Sequence, residues 1–333
     1  MTNSRKGFDF TRRDFIYAGG AAAACSLLPA PVAKAFDSLY PHADSSYIEK
    51  RTELQPAEVH FGYASITWGG NDRQAIEDIS ALGFPAIQIR ANAIAEFDGK
   101  PEPLRALLDA HKLKMVAFSS GELNTENPQE TEIASHVARA QFARAAGALY
   151  LQVIGARPKG RDAVPADYEK MGRLLTELGR RTTDIGVQLG FHNHMNSLGE
   201  RPEEVDWIFE GVDSRFAKLE LDVAHCVQGG GDPVKMMTSY SDRLLFMHLK
   251  DVRTVTPPPA PAGGTATAPK NYQFVELGRG RVDLPAVFAS IEKIRYRGWA
   301  IVELDAVPDP PHTPKECAEI SKKYLEEKLK YKI

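Results

Sequence analysis

Four apolar segments in the second half of the chain each end in an acidic or imidazole side chain. The side chains at or just after these ends are His192 and His194, Asp222 and His225, His248 and Asp251, and Glu303 and Asp305, and the runs before them are typical of buried strands. If the strands are parallel and close a barrel, their carboxyl ends open on one face, so residues about thirty positions apart converge. Imidazole and carboxylate ligands together suit a transition metal better than Ca²⁺. The sequence therefore predicts a site for one divalent metal ion: Mn, Co, Fe, Ni, Zn or Mg.

A cation at this site indicates chemistry on an α-hydroxy ketone. The ion would polarise the carbonyl and stabilise the enediolate that remains after proton abstraction. Proton transfer also needs a side chain within hydrogen-bond reach, with a pKa near the working pH. We expect Glu303 to be the catalytic base, and we expect His225 and Lys250 to bind substrate or act as acids.

Four more residues are candidates for binding the substrate. Trp68 could stack on a sugar ring or pack at the barrel mouth, and Arg90 could bind a substrate oxygen or a neighbouring carboxylate. Glu122 could line the cavity or solvate a loop. His194 could contact substrate or hold the ring of His192 in place.

Two polar residues lie inside the strand-like runs themselves. Gln152 could line the cavity. Glu220 lies two positions before Asp222, on the same side of the pleat but deeper. We interpret Glu220 as an interior polar residue rather than a ligand.

The elements that position these residues alternate regularly from residue 58 onward. Strands are predicted at 59–68, 86–90, 114–119, 149–154, 187–192, 216–222, 244–249 and 300–304. Helices are predicted at 73–82, 102–111, 132–146, 166–184, 202–209, 233–239, 284–294 and 315–329. A repeat of roughly 33 residues favours a (β/α)₈ barrel, a TIM barrel, as one domain over residues 57–333. A doubly wound sheet would want a glycine-rich phosphate turn after its first strand, and Thr67-Trp68-Gly69-Gly70-Asn71 does not fit that pattern.

The N-terminal residues predict export. Thr11-Arg12-Arg13-Asp14-Phe15-Ile16 is a twin-arginine pattern, and an apolar run and Ala33-Lys34-Ala35 follow it. We therefore expect a twin-arginine signal peptide at 1–35, a periplasmic location for the mature protein and an N-terminal extension at 36–56. No run approaches the ~20 apolar residues of a permanent membrane span.

Charge and cysteine content narrow the function classes. Removing residues 1–35 leaves 36 basic and 42 acidic side chains, a formal charge of −6, which disfavours a nucleic-acid partner. The remaining cysteines, Cys226 and Cys317, are too few for a disulfide framework. A proline- and glycine-rich insertion at 255–270 leaves the catalytic face as a loop, either a lid or a passive linker.

Several of these segments together resemble a known family. Leu221-Asp222-Val-Ala-His225, Met247-His248-Leu-Lys-Asp251, Leu277-Gly278-Arg-Gly280-Arg-Val-Asp283-Leu-Pro and Val302-Glu303 are similar to the xylose isomerase-like barrel superfamily. That superfamily includes sugar phosphate isomerases and epimerases and inosose dehydratases. The resemblance covers residues 58–325 and is most specific in the last 145 residues.

The resemblance implies metal ligands at the ends of the fifth to eighth strands, usually Glu, Asp, His and Glu. These positions fall on His192, Asp222, His248 and Glu303. Family members often read Glu-Asn-His where this chain reads His192-Asn193-His194. The epimerases use two glutamates as a paired acid and base, so an imidazole here leans toward the dehydratase or eliminase branch.

Taken together, the sequence predicts a divalent-metal-dependent sugar isomerase or epimerase that acts on a keto-sugar or α-hydroxy ketone. The alternative is a keto-sugar or inosose lyase. An endonuclease IV-like phosphodiesterase is disfavoured because the early strands show no obvious further ligands, and a non-catalytic sugar-binding barrel would show weak or no metal binding. The expected partner is a small carbohydrate, and the oligomeric state stays open.

Overall fold

The computed structural model of the protein describes residues 56–256 and 271–333. The predicted signal peptide at 1–35 therefore lies outside the described residues. So do residues 36–55 of the predicted extension and 257–270 of the predicted insertion.

Eight parallel strands close a barrel in the order β1-β10-β7-β6-β5-β4-β3-β2. They are β1 Glu58–Ala64, β2 Ala86–Arg90, β3 Lys114–Leu123, β4 Tyr150–Gly155, β5 Gln188–His192, β6 Ala217–Asp222, β7 Leu244–Leu249 and β10 Arg297–Val302. Each strand is buried along most of its length, which suits its β-branched and aromatic residues. The prediction of a TIM barrel is confirmed.

Helices connect the barrel strands on the outside. They are α1 Asp72–Ala81, α2 Ala93–Glu96, α3 Pro101–Ala110, α4 Gln129–Ala146, α5 Pro165–Ile185, α6 Pro202–Glu210, α7 Val223–Gln228, α8 Pro233–Ser239, α9 Leu284–Lys293 and α10 Pro314–Lys323. Proline occupies the first turn of six of them, where its missing N–H costs nothing. The eight predicted helices are present, and α2 and α7 are additional short ones. No helix in the described part of the chain is both long enough and apolar enough to cross a membrane.

Several predicted boundaries were wrong: β3 ends at Leu123 rather than residue 119, α4 begins at Gln129 rather than residue 132, and β10 begins at Arg297 rather than residue 300. Two further differences come from turns of another helical type. The first strand ends at Ala64 rather than residue 68, because Ser65–Trp68 forms a 3₁₀ turn that Gly69 ends in the left-handed conformation. The last helix ends at Lys323, and Tyr324–Lys328 continues as a π-helical turn.

A two-stranded antiparallel hairpin stands beside the barrel mouth, formed by β8 Asp251–Thr254 and β9 Tyr272–Val275. The buried carboxylate of Asp251 accepts hydrogen bonds from the backbone N–H groups of Val252, Gly278, Gly280 and Val282 at 2.8–3.0 Å. A Cβ atom on Gly280 would lie 2.2 Å from this carboxylate. The two glycines therefore let the backbone wrap around Asp251, which fixes the base of the hairpin.

Candidate metal centre and active site

The structure brings the four predicted ligands together at the carboxyl ends of β5, β6, β7 and β10. His192 Nε2 and His248 Nδ1 each lie 3.6 Å from Asp222 Oδ2. His248 Nδ1 also lies 3.4 Å from Glu303 Oε1. When ligand atoms each bind one ion at about 2.0–2.2 Å, they are separated from one another by distances close to those just given.

Three atoms that face one another at this point have no hydrogen-bond partner in the described residues. They are His192 Nε2, Asp222 Oδ2 and His248 Nδ1, and all three are buried. Buried polar atoms nearly always have a partner. An ion held by two imidazole nitrogens and carboxylate oxygens would satisfy all three, so the donor set fits a divalent transition metal.

The remaining contacts of Asp222 fix its orientation. Its Oδ1 accepts hydrogen bonds from the N–H groups of Ala224 and His225, both at 2.8 Å, and so caps α7. Its backbone pairs with the Asn193 amide, which ties the end of β6 to the end of β5. Burial would raise the pKa of Asp222, but interactions with His225, Lys250 and the two imidazoles hold it well below its usual range. Oδ2 is therefore an ionised oxygen that points at the centre.

A layer of buried polar residues lies beneath the ligands. His248 Nε2 lies 2.7 Å from Glu220 Oε1 and 2.9 Å from Gln88 Oε1. Both partners are acceptors, so Nε2 carries a proton. Burial alone would lower the pKa of His248, but Glu220, Glu303 and Asp222 raise it well above its usual value, and a bound ion would take the place of the second proton, on Nδ1. This contact fits the interpretation of Glu220 as an interior residue, although Glu220, His192 and His248 also offer ligand atoms within 4.8 Å of one another.

Gln152 plays the corresponding part for the other imidazole. Its amide lies 2.5 Å from His192 Nδ1 and 3.2 Å from Glu220 Oε1, and it accepts a hydrogen bond from Gln88 at 3.0 Å. It is the NH₂ group of Gln152 that faces Nδ1 here, while its oxygen accepts from Gln88. An ion bound to His192 Nε2 would need the proton on Nδ1, so the Gln152 amide would have to turn over and exchange its contacts with Gln88 and Glu220 when the ion binds. The sequence analysis missed Gln88, although a glutamine inside the apolar strand Ala86–Arg90 was a usable signal.

Lys250 is a fully buried ammonium between the candidate ligands and the mouth. It donates hydrogen bonds to Glu303 Oε1 at 2.9 Å and to Asp305 Oδ1 at 2.5 Å, and it lies 4.2 Å from the ring centre of Phe274. Burial alone would lower the pKa of Lys250, but Asp305, Glu303 and Asp222 raise it. We had assigned no role to Asp305 or Phe274.

The charge on Lys250 also determines the state of Glu303. Burial alone would raise the pKa of this carboxyl, but His248 and Lys250 hold it well below its usual range. Both cationic partners contact Oε1. Oε2 is therefore the oxygen left to accept a proton.

His225 is held in one tautomer beside Lys250. Its Nδ1 accepts a hydrogen bond from the Met195 N–H at 3.0 Å, so a neutral ring carries its proton on Nε2. Burial lowers the pKa of His225 well below its usual value, which favours the neutral ring. Nε2 lies 3.3 Å from Lys250 Nζ and presents an N–H donor on the side of the centre.

Of the four predicted substrate-binding residues, His194 lies beside the centre. Its ring centre is 4.0 Å from that of His225, and burial lowers its pKa to about 4. Its Nδ1 donates to Met195 O at 2.7 Å, and its ring packs edge-on against that of His192, with ring centres 5.4 Å apart, whereas the hydrogen-bond partner of His192 is Gln152.

The other three candidates have different surroundings. Trp68 is buried, and its indole N–H donates to Asp78 at 2.9 Å while its ring packs edge-on against Tyr63. Arg90 and Glu122 are exposed, at the end of β2 and within β3 respectively. These contacts explain Trp68 as a packing residue and leave substrate binding by Arg90 and Glu122 as predictions.

Comparison with known proteins gave matches over most of the chain. Residues 76–327 match the family model described as a xylose isomerase-like TIM barrel. The chain is 27% identical over 296 residues to an inosose dehydratase from Lacticaseibacillus casei, covering 80% of this chain and 96% of that protein. It is 34% identical over 163 residues to the rhizopine catabolism protein MocC from Rhizobium meliloti, about half of each chain (48% and 49%). A crystal structure of IOLI protein with a binding zinc atom has a TM-score of 0.66 and 20% identity, covering 80% of this chain and 97% of that one, and shows the same fold.

Proposed function

The chain belongs to the xylose isomerase-like TIM barrel family, and from this we propose that it is a divalent-metal-dependent lyase that dehydrates a keto-sugar or an inosose. The sequence analysis favoured an isomerase or epimerase and held the lyase as the alternative. The inosose dehydratase from Lacticaseibacillus casei, which aligns over 96% of its length, supports the alternative better.

The observation that carries this proposal is the asymmetry of the candidate acid and base. The epimerase pattern implied by the resemblance places a carboxylate at the ends of both the fifth and the eighth strand. Here the end of β5 carries His192, so of these two positions only the end of β10 carries a carboxylate, Glu303. A single carboxylate with imidazole and ammonium donors suits elimination, which needs one base and one acid.

We propose that His192, Asp222, His248 and Glu303 hold the metal ion, with Glu303 binding through Oε1. A divalent ion bound there would polarise the substrate carbonyl and stabilise the negative charge that develops on its oxygen.

The residues of the chain would divide the elimination between them. Glu303 Oε2 would accept the proton from the carbon next to the carbonyl, and the C–O bond at the following carbon would break as the C=C bond forms. The Lys250 ammonium would protonate the departing hydroxide, so that water leaves, and Glu303, hydrogen-bonded to Lys250 at 2.9 Å, would then return the proton that it took from carbon to the Lys250 amine. The His225 Nε2–H, 3.3 Å from Lys250 Nζ, would donate a hydrogen bond to the departing oxygen. Lys250 also holds Glu303 in place.

The test is to incubate the metal-loaded protein with an inosose and with 3-keto-sugars in D₂O. We expect a product that is lighter than the substrate by one water. Mass spectrometry and the absorbance of the new enone would detect it. Deuterium uptake into a substrate that keeps its hydroxyl, or into its epimer, would instead establish an isomerase or epimerase. Glu303→Gln should slow product formation by about 10²–10⁴-fold, and the protein stripped of metal serves as the matched control.

We also propose that the protein is exported to the periplasm through the twin-arginine pathway. The support is the Arg12-Arg13 pattern with the apolar run and Ala33-Lys34-Ala35 after it. Cell fractionation of the wild type and of the Arg12→Lys/Arg13→Lys variant tests this. We expect the mature wild-type protein in the periplasm and the variant in the cytoplasm. A wild type that stays in the cytoplasm would refute export.

A further inference from the structure

A second set of potential ligands lies on elements that contribute nothing to the centre described above. Glu276 follows β9, His312 lies in the loop between β10 and α10, and Cys317 lies within α10. One atom from each residue lies within 4.8 Å of the others. Glu276 and Cys317 are fully buried.

Unpartnered polar atoms point to a missing ligand in this set. Glu276 Oε1 and His312 Nδ1 are buried and have no hydrogen-bond partner within residues 56–256 and 271–333. The other oxygen, Oε2, is 3.4 Å from Arg279 Nη1. The Tyr63 hydroxyl is also buried and unpartnered. Burial raises its pKa, the neighbouring Thr67 hydroxyl lowers it, and the nearby Cys317 and Glu276 raise it.

Thiolate, imidazole and carboxylate together are the ligands of zinc and similar borderline ions rather than of Ca²⁺ or Mg²⁺. We propose that Glu276, His312 and Cys317 form a second metal site, which takes a divalent ion of the zinc class. Bonds of about 2.0–2.3 Å place neighbouring tetrahedral ligands about 3.5 Å apart. The three side chains therefore need to contract by only about 1 Å, and a water or the Tyr63 hydroxyl is available for the fourth position.

The alternative role of such a trio, a cysteine nucleophile activated by an imidazole, does not fit the surroundings. The Cys317 side chain is 0% exposed, so substrate cannot reach it. Burial and the neighbouring Glu276 raise the pKa of the Cys317 thiol to about 12. A bound cation is what would ionise it.

The site would clamp the hairpin to the loop after the last barrel strand. Arg253 on β8 already forms two hydrogen bonds to Asp309 in this loop, at 3.1 and 2.6 Å, and Gln273 on β9 donates to Pro308 O at 2.9 Å. Phe274, two residues before Glu276, packs 4.2 Å from Lys250 Nζ. An ion at Glu276 would therefore stiffen one wall of the catalytic centre.

Cobalt separates the two centres, because a thiolate bound to Co²⁺ gives a charge-transfer absorption in the near ultraviolet that nitrogen and oxygen ligands do not. The full chain is stripped of metal and titrated with Co²⁺. We expect two ions per chain and the charge-transfer band. The Cys25→Ser/Cys226→Ser control, whose single thiol is Cys317, should keep both.

Variants at each centre identify the source of each signal. Cys317→Ser should lose the band and one ion. His312→Gln should raise the Co²⁺ concentration needed to produce the band at least tenfold. This second variant tests the site even if Cys317→Ser fails to fold. Asp222→Asn should lose an ion and keep the band, so failure of the first centre is distinguishable from failure of the second. A wild type that binds one ion without the band, or a band that survives in Cys317→Ser, would overturn the second site.

Discussion

The polar layer beneath the candidate ligands predicts that replacing Gln152 and replacing Gln88, which bind each other, will affect metal binding differently. His192 Nδ1 has one side-chain partner among the described residues, the Gln152 amide at 2.5 Å. His248 Nε2 has two, Gln88 at 2.9 Å and the carboxylate of Glu220 at 2.7 Å. Replacing Gln152 by leucine therefore leaves one imidazole without support. Replacing Gln88 leaves the other imidazole, His248, with the shorter of its two contacts, the one to the carboxylate of Glu220.

Loss of a partner that orients a metal-bound histidine typically costs 10–100-fold in metal affinity, or about 1.4–2.7 kcal/mol. We expect this loss for Gln152→Leu and less than about tenfold for Gln88→Leu, because Glu220 keeps His248 in its tautomer. Each substitution also removes the 3.0 Å hydrogen bond between the two glutamines. The cost to folding that comes from this bond is thus common to both variants, which makes them a matched pair.

The assay is competition between the protein and a chelator for Zn²⁺ or Mn²⁺, with thermal unfolding of the metal-free proteins as a check on folding. The reference protein and both glutamine variants carry Cys317→Ser, so that only the first centre contributes to metal binding. Equal losses of affinity in the two variants, or no loss for Gln152→Leu, would refute the argument that single-partner support decides how firmly the imidazole is held.

Three further predictions concern the base, the hairpin and a carboxyl far from the centre in sequence. Glu303→Gln should reduce kcat by about 10²–10⁴-fold without unfolding the protein, measured as product formation beside a thermal melt; activity near that of the wild type would exclude Glu303 as the base. Gly280→Ala should lower stability by about 1–3 kcal/mol, because its Cβ would lie 2.2 Å from Asp251. Gly211→Ala, whose Cβ would have only ordinary contacts, is the control, and equal denaturant midpoints would contradict the reasoning. Burial raises the pKa of Asp72 from 3.8 to about 6. The folded state therefore binds this proton more tightly than the unfolded state. The resulting stabilisation is complete below pH 3.8 and is lost as the pH rises to about 6. Melts of Asp72→Asn should lack this fall between the two pH values, and a fall of the same size in the variant would assign it to other groups.

The positions of the candidate ligands could be predicted from sequence because a closed parallel barrel removes most of the geometric freedom. Once the runs ending at His192, Asp222, His248 and Glu303 are adjacent parallel strands, their last residues must share one face. Tautomers and partners could not be predicted in this way. The proton of His225 is placed by the backbone N–H of Met195, a contact between α7 and the loop after β5 that no periodicity reveals.

The hairpin was missed for a different reason. Its strands have four residues each, too few to show alternation, and the proline- and glycine-rich residues between them dominate the local composition. Its position follows from Asp251, whose carboxylate collects four backbone N–H groups from residues up to 31 positions away. A wall of the catalytic centre, carried by Phe274, thus depends on a long-range contact that sequence patterns do not report.

Depth along one strand gives two acidic residues different chemistry in this barrel. Glu220 and Asp222 lie on β6, two positions apart and on the same side of the pleat. Asp222 reaches the centre directly, whereas Glu220, one layer deeper, acts on it through His248. A carboxylate behind a ligating imidazole raises the basicity of that imidazole. Glu220→Gln preserves an acceptor for the His248 proton and removes the charge, so it should weaken metal binding while the unfolding temperature changes little. An unfolding temperature that drops as far as it does for Glu220→Leu would show that the charge serves the fold and not the centre.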